Sequence, residues 1–431
     1  MKKNQLNTAI GLWTNVCRFV LAGVFIFSGF VKAIDPLGTT YKIQDYFEAL
    51  NLISLISTIV PFVGTLFIAF VEFCIGVFLL FGFRRRVSTS FVFVLMILMT
   101  LLTLWLAVVN PISDCGCFGD AIKLTNWQTF FKNVFLLIAA FFVFRWNNLI
   151  RPLVSHRFDW LIELYTFLFV SGVMGYSLRN LPVFDFRPYH IGANIKEGME
   201  IPEGKSPTKY ETFFILEKGG EHKEFTLDNY PDSTWTFVDS RTVVKKKGYE
   251  PLIHDFSIVR QDDGEDITEA VLNNVDYSFL LIAHQLKKAD DSRIDLINEL
   301  YDYCIENGYV FYCLTASPDK DIEDWQERTG AEYPFAITDD TTLRTIIRSN
   351  PGLVLMKNGI VINKWSVENF PDEYQLTDKL DKLPLGHVNQ RALGHRILLV
   401  LGCFALPLFL FSMIDVGWGK YKNYRKRQLN S

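Results

Sequence analysis

A chain of 431 residues is too long for one ordinary core, and 49% apolar residues with 38 phenylalanines is unusual for a soluble protein. The formal net charge of -4, with no basic patch in the hydrophilic part, argues against a nucleic-acid partner. The apolar excess is concentrated in the first 180 residues and in a stretch near the C-terminus, leaving residues 184–390 as a charged, soluble region.

The seven cysteines divide the same way: Cys17, Cys74 and Cys403 in apolar segments, Cys304 and Cys313 in the soluble region, Cys115 and Cys117 in a short polar loop. Neither a Cys-x-x-Cys nor a His/Cys zinc spacing occurs, so no structural metal site is expected.

In chain order, Lys2 and Lys3 precede an apolar run over about 12–34, long enough to cross about 30 Å of hydrocarbon. A secretory signal is shorter and ends in small residues at a cleavage site. Lys32 and Asp35-Pro36 follow here instead, so the run reads as an uncleaved first helix. Residues 41–58 mix Tyr41, Tyr46, Phe47, Glu48 and Leu50, as an amphipathic segment along the membrane interface does. Residues 61–83, ending at Arg84-Arg85-Arg86, and 87–109 are the second and third spans. Residues 127–146 and 158–178 are the fourth and fifth, and 396–414 contains the sixth, followed by Lys420, Lys422, Arg425, Lys426 and Arg427.

The Lys and Arg beside these spans set the expected orientation. The N-terminus, the 84–86 turn, the 145–157 connection and the basic tail fall on one side of a six-span arrangement, and by the positive-inside rule that side is the cytoplasm. The expected location is therefore the bacterial inner (cytoplasmic) membrane, multi-pass, with both termini cytoplasmic. The cysteine loop, the 41–58 segment and the 184–390 region then share the periplasmic face, an oxidising compartment in which a thiol pair can cycle.

Polar residues within spans are costly and therefore informative. Glu72 falls near the middle of the second span, either as a carboxyl hydrogen-bonded to a neighbouring helix or as part of a cofactor or proton site. Arg18, Lys32, Lys132 and Glu163 lie nearer span ends, where snorkelling to the interface is the expected arrangement. Glu72, Lys32 and Arg18 together are the candidate polar site of the membrane half.

The loop Asp114-Cys115-Gly116-Cys117-Phe118-Gly119-Asp120 lies between the third and fourth spans. Two cysteines separated by one residue close only a small ring, so a disulfide there is strained and more easily reduced than a structural one. That favours exchange; the plainer readings are two reduced cysteines packed under the loop or an inert bridge. Pro111 cannot continue a helix, Gly116 and Gly119 supply backbone freedom, and Asp114 and Asp120 keep the turn in water. Acidic neighbours are expected to raise a thiol pKa, against a strongly activated thiolate.

In the soluble region, residues 210–244 show short alternating runs that read as strands and hairpins, one of them before Gly219-Gly220 and another at 234–238. Residues 254–268 read as a further hairpin. A βα pattern follows: strand 277–283, helix 290–307 closed by Gly308, strand 309–314, then a helix to about 329 with Ser317 as N-cap and Pro318 as first helical residue. Strand 335–337, a helix at 340–348, Asn350-Pro351-Gly352, a hairpin around Asn358-Gly359 and a final helix at 371–382 complete the run.

This order, with a proline just before the hairpin, resembles the thioredoxin-like fold of the TlpA and peroxiredoxin kind over roughly 250–385. The resemblance makes Pro351 the matching position of the family's cis-proline, which faces the active cysteines there. The place of the family's Cys-x-x-Cys, after the first central strand, reads His284-Gln285-Leu286-Lys287-Lys288. This domain is therefore not expected to perform dithiol exchange itself, and Cys304 and Cys313 read as core residues.

In the membrane half, Arg18, the run Phe27-Ser28-Gly29-Phe30-Val31-Lys32 with Asp35-Pro36, the segment Val71-Glu72-Phe73-Cys74-Ile75-Gly76, the arginine turn and the cysteine loop together resemble the DoxX and MauE group of four-helix membrane proteins. The resemblance covers about residues 10–147 and is closest to the MauE branch. It places the family's cysteine motif on Cys115 and Cys117 and its membrane carboxylate on Glu72. It implies maturation or disulfide handling of periplasmic redox enzymes, or, on the DoxX side, quinone-linked or redox-stress membrane complexes.

The expected whole is a multi-pass α-helical membrane protein of six transmembrane helices, the first four a DoxX/MauE-like bundle, with an α/β thioredoxin-like soluble domain. Its divisions are 1–150 for the four-helix unit, 151–183 for the fifth helix, 184–249 for a β-rich linker, 250–390 for the thioredoxin-like domain and 391–431 for the sixth helix and tail. The expected function is a membrane thiol-redox or maturation factor in which Cys115 and Cys117 exchange disulfides. The thioredoxin-like domain binds a periplasmic or envelope client, and a quinone or another redox protein resets the pair. Cys17 and Cys74 lie toward the cytoplasmic side, so turnover needs a partner. The alternative is a non-enzymatic scaffold whose degenerate domain docks another envelope protein. A transporter fits less well, since no inverted repeat or broken helix is evident.

Overall fold

The computed structural model describes residues 2–50, 57, 59–112, 114–218, 221–226, 229–231, 234–246, 248–254 and 256–429. For residues 2–7, 209–211, 221–222, 241–246, 390–393, 420, 422–427 and 429 it describes the backbone alone.

The membrane half consists of α1 (Lys2–Ile34), a short α2 (Pro36–Ala49), α3 (Ile59–Phe81), α4 (Arg85–Val109), α5 (Asn126–Arg145) and α6 (Asp159–Arg179). All but α2 hold a stretch long and apolar enough to cross a bilayer, and a sixth such stretch, Gly394–Gly419, lies in the last helix of the chain. The chain is a multi-pass membrane protein, and side chains such as Phe67, Leu98, Phe131 and Leu398 form its exposed, lipid-facing flanks.

Local chemistry sets the helix ends. Asp35 caps α2 by accepting from the Gly38 N–H at 2.9 Å, with Pro36 in the first turn where its missing N–H is harmless. Thr125 and Gln128 form a capping box that starts α5. Asn110 in the left-handed region (φ 50°) closes α4 just before Pro111.

Two glycines set how the bundle packs. A Cβ on Gly29 of α1 would stand 2.3 Å from the Phe73 nitrogen of α3, and one on Gly76 would stand 2.6 Å from the Ile26 nitrogen, so only glycine lets these helices touch backbone to backbone. Leu21, Phe25, Ile75 and Leu79 then pack against Met96 of α4 and Leu136 of α5. On the far side of α3, Phe73 stacks on Phe169 of α6 at 5.7 Å and meets Phe404 edge-on at 5.3 Å.

Residues 41–58 are not simply a surface segment. Through residue 49 they belong to α2, which packs on α3 through buried Pro36 and Thr40; residues 51–56 and 58 lie outside the described residues.

In the soluble region, the short α7 (Ile195–Met199) precedes an antiparallel sheet of order β2-β1-β3, built from β1 (Lys209–Lys218), β2 (Glu221–Thr226) and β3 (Thr236–Lys246). Gly219 and Gly220, between β1 and β2, lie outside the described residues. The elements that follow are β4 (Val259–Arg260), α8 (Thr268–Leu272), β5 (Tyr277–Ile282), α9 (Ile294–Asn307), β6 (Val310–Thr315), α10 (Asp319–Thr329), β7 (Phe335–Ile337), α11 (Asp340–Ile346), β8 (Gly352–Lys357) and β9 (Ile360–Ser366). Their strands form one six-stranded sheet of order β4-β7-β6-β5-β8-β9. β5, β6 and β7 run parallel, joined through α9 and α10, while β8 and β9 add as an antiparallel hairpin. That order, with α11 leading into the hairpin, is a thioredoxin-like α/β arrangement.

β5 is central and buried at every position, as its unbroken apolar run requires. Phe279, Trp325, Tyr333 and Leu355 fill one face, and Ile282, Leu343, Val354 and Met356 the other. The last helix, α12 (Gln390–Leu429), completes the chain.

Several sequence expectations change. Of residues 184–249, only 209–246 form the separate sheet; Tyr189 and Ile195 are buried in the core of the six-stranded unit, because the Gly192 and Ile195 N–H groups donate to Val361 and Gly359. The hairpin expected at 254–268 reduces to the two-residue β4 against β7, with one bridge from Val259 to Asp266; Asp255 lies outside the described residues.

Pro318, not Ser317, sits at the cap of α10, since the Ser317 hydroxyl accepts from the Leu286 N–H at 2.9 Å. No α-helix forms over 371–382. There Asp372 and Asp378 accept from the N–H groups of Gln375 (3.1 Å) and Lys379 (2.8 Å), stabilising turns that carry Leu380 into the core. Finally, α12 is 40 residues long and runs on past 414 to Leu429.

Candidate functional site

The cysteine loop is clamped at its base. Asn126, in the first turn of α5, donates to Asn110 Oδ1 at 2.8 Å and to the Ile112 carbonyl at 2.7 Å, and Asp114 bridges Thr125. Gly116, at φ +64°, takes the left-handed turn that sets the two sulfurs on one side, 2.7 Å apart and both as free thiols.

The pair is held from above and below. Above, α2 places Lys42 Nζ 3.1 Å from Asp114 and the Tyr46 hydroxyl donates to the Cys115 carbonyl at 2.7 Å. Below, the Lys32 ammonium of α1 donates to the Cys117 carbonyl (2.8 Å), Glu72 Oε2 (2.7 Å) and Ser28 Oγ (2.6 Å). All three of its N–H bonds are thereby used. Ser28 Oγ in turn lies 2.8 Å from both Glu72 Oε2 and the Cys117 carbonyl.

Lys132 of α5 sits over the Phe118 ring at 4.1 Å. Between these groups is a cavity of about 40 Å³ lined by Ser28, Glu72, Met96, Cys117, Lys132 and Asn133. It has room for a water or two.

The two thiols are inequivalent. Cys115, 8% exposed, is lowered to about 7, first by the Cys117 thiol donating to its sulfur and then, against its burial, by Tyr46 and the charges of Lys132 and Lys32. Cys117 is driven well above an ordinary thiol by that same bond and by burial. The acidic neighbours do not have the expected effect. Asp114 is tied to Lys42 and accepts from the Gly116 N–H at 2.9 Å, and Asp120 lies 3.6 Å from Arg348.

Snorkelling is also overturned for Arg18 and Lys32, which are 1% and 5% exposed. Arg18 donates to the Arg151 carbonyl (2.7 Å), the Leu80 carbonyl (3.0 Å) and Asn15 (3.2 Å), fastening α1 to the end of α3 and the connection after α5. It lies 14 residues from Lys32, about 21 Å along the helix, so it is not part of the Glu72–Lys32 cluster. Glu163 pairs with Arg84 at 2.7 Å. Glu72 is thus the partner of a buried ammonium on a neighbouring helix.

The thioredoxin-like unit reaches this site through Arg348, which follows α11. Its Nε lies 3.1 Å from both Asp35 oxygens, and its guanidinium, with that of Arg344, sits over Tyr41. Arg348 and Arg187 hold the Asp35 carboxyl below its usual range despite burial, which acts to raise it. Arg344 pairs with Asp340, which lies 3.2 Å from His284 Nδ1. The Asn350–Pro351 bond is cis, and Asn350 Nδ2 donates to the Gln285 carbonyl at 2.9 Å. The His284–Lys288 stretch and Pro351 therefore share the end of the sheet that meets the membrane half. Cys304 and Cys313, fully buried in the core, take no part, and burial pushes both thiols up.

Sequence reasoning missed Ser28, Lys42, Tyr46 and Arg348. Only Ser28 carried a local signal, four residues before Lys32 and so on the same helix face.

Residues 10–145 match the family described as methylamine utilisation protein MauE, and residues 210–247 match a domain of unknown function (DUF8463) that coincides with the three-stranded sheet. No curated protein sequence matches the chain. Among solved structures, a candidate protein disulfide isomerase from Bacteroides thetaiotaomicron is similar at 16% identity, covering 27% of this chain and 76% of that one, with TM-score 0.22. A candidate thioredoxin from Neisseria meningitidis is similar at 14% identity over 28% and 83%, with TM-score 0.24. An uncharacterized conserved protein from Geobacillus kaustophilus is similar at 12% identity over 32% and 82%, with TM-score 0.25. The N-terminal third of the chain is a MauE-like membrane unit, continued in the same polypeptide by a soluble unit whose strand order is thioredoxin-like.

Proposed function

We propose that this protein is a membrane-bound thiol-redox or maturation factor in which Cys115 and Cys117 pass between dithiol and disulfide in exchange with a client protein. The observation that carries this reading is a pair of free thiols whose sulfurs lie 2.7 Å apart in a loop clamped from two sides.

In the reducing direction, the Cys115 thiolate attacks one sulfur of a client disulfide. The client S–S bond breaks, its second sulfur leaves as thiolate and takes a proton from water, and a mixed disulfide remains on Cys115. Cys117 then gives up its proton to water and attacks Cys115 Sγ. The Cys115–client bond breaks and the client leaves as a dithiol, with two electrons and two protons gained. Run backwards, the same steps oxidise a client.

Ser28, Lys32 and Glu72 act as positioning residues, fixing the Cys117 carbonyl so that its sulfur stays beside Cys115. A quinone ring does not fit as the resetting group. The cavity beside Cys117, about 40 Å³, is far below the roughly 150 Å³ that holds benzene in an engineered protein cavity. A second redox protein resets the pair. In this reading both termini are cytoplasmic, the loop and soluble units face the periplasm of a bacterial inner membrane, and the surface around Pro351 and His284 binds the client.

The test is mixed-disulfide trapping in cells. Cys117→Ser accumulates an adduct that reductant releases, and Cys115→Ser does not. If neither variant traps a partner and the Cys115→Ser, Cys117→Ser double variant complements fully, the pair is structural and the chain is a scaffold.

A further inference from the structure

A cavity of about 1200 Å³ opens between α6, α12 and the strand β9, remote from the thiol pair. That exceeds the roughly 300–1,000 Å³ of compact ligand sites. Its character changes along its length. The deep end is walled by Leu168 and Val173 of α6 and Leu399 and Cys403 of α12, both helices of membrane-spanning length. Leu168 lies 11 residues before the end of α6, so the cavity descends about 16 Å into the hydrocarbon level.

The outer end is polar and carries excess positive charge. Lys364 of β9, its side chain 1% exposed, lines the cavity and shares the single carboxylate of Asp185, at 2.8 Å, with Arg187 at 2.7 Å. Arg187 is itself buried, and its Nη2 has no hydrogen-bond partner among the described residues. At the mouth, Arg396 of α12 is exposed and makes no ion pair among the described residues. Two cations, Lys364 and Arg396, therefore line the mouth with the one carboxylate of Asp185, directly above an apolar slot.

An uncharged chain satisfies only the slot and a soluble anion only the cations. One molecule with both parts satisfies the whole cleft. We propose that this cleft binds an anionic membrane phospholipid, with its phosphate against Lys364 and Arg396 and its acyl chains between α6 and α12. The site is independent of the thiol chemistry.

The test uses the full chain in mixed micelles of phosphatidylglycerol and phosphatidylethanolamine in equal amounts, with bound lipid counted by native mass spectrometry. Phosphatidylglycerol is retained preferentially, by about fivefold for each unneutralised cation. Arg396→Gln, at an exposed position, removes about fivefold of that preference without moving the thermal midpoint. Val173→Trp fills the slot and loses both lipids. Equal retention of the two lipids, or a preference untouched by both variants, assigns the cleft to ordinary surrounding lipid and overturns the proposal. So does displacement of the lipid by inorganic phosphate, which would leave a free-anion site.

Discussion

Alkylation of Cys115 probes the asymmetry of the thiol pair directly. An ordinary thiol at 9.0 is about 1% thiolate at pH 7, whereas a thiol lowered to about 7 is about half thiolate. The roughly fiftyfold gain in thiolate is offset by weaker intrinsic nucleophilicity. With a Brønsted slope of about 0.4–0.5, two units cost about six- to tenfold, so the net advantage at neutral pH is about five- to eightfold. The first contribution to this lowering is the bond from Cys117. Cys117→Ala therefore moves the midpoint up toward that of a free thiol and forfeits about five- to eightfold in rate at pH 7. Cys117→Ser keeps a hydroxyl donor and most of the rate. Tyr46→Phe, which removes a smaller contribution, falls between them. The assay is iodoacetamide labelling of reduced full-length protein from about pH 5.5 to 9, resolved by peptide mass spectrometry so that the other cysteines do not interfere. A Cys115 midpoint at about 8.5 or above in the unaltered protein, or equal rates for the Ala and Ser variants, refutes the reasoning.

Glu72→Gln strands the Lys32 ammonium, whose side chain is 6% exposed, and is expected to destabilise the bundle by about 3–5 kcal/mol, while replacing both residues by methionine recovers most of the loss. Denaturant titration in micelles checks this, and single variants as stable as the parent count against it. Gly29→Val drives a branched side chain into the Phe73 backbone and should abolish accumulation of folded protein, whereas Gly23→Val, at a position with nothing within 4 Å, is tolerated; equal yields would refute the close α1–α3 contact. Arg348→Ala should raise amide exchange across α2 and residues 114–120 while leaving β5 protected. Exchange confined to 340–350 is the contrary result. In intact cells, after mild reduction, a membrane-impermeant maleimide should label Cys115 from outside the inner membrane; labelling only after lysis refutes the proposed topology.

Much of the fold was legible because it rests on strong, local signals. Six apolar runs of bilayer length and the β5 to β9 succession with its Asn-Pro and Asn-Gly turns are written in consecutive residues. Turn chemistry was harder to read. Over 371–382 a helix is expected, but aspartates bonded to nearby N–H groups favour turns. The cysteine pair was visible as a spacing, but its electrostatics were not, because they depend on residues brought from α1, α2, α3 and α5. Asp114 and Asp120 read as acidic neighbours of the thiols. In the fold each is engaged by a cation, Lys42 or Arg348, and the charges facing the sulfurs are those of Lys32 and Lys132. Such contacts, between residues as far apart as Asp35 and Arg348, leave no periodic trace in a single sequence.

The short helix α2 joins events at its two ends. Asp35 starts it and also receives Arg348, while Lys42 and Tyr46, two and three turns further on, grip the loop that holds the thiols. The contact between the soluble unit and Asp35 thus sits on the same helix that grips the Cys115 carbonyl. In the proposed function, partner binding at the Pro351 end and exposure of the Cys115 sulfur are thereby linked through one helix of 14 residues.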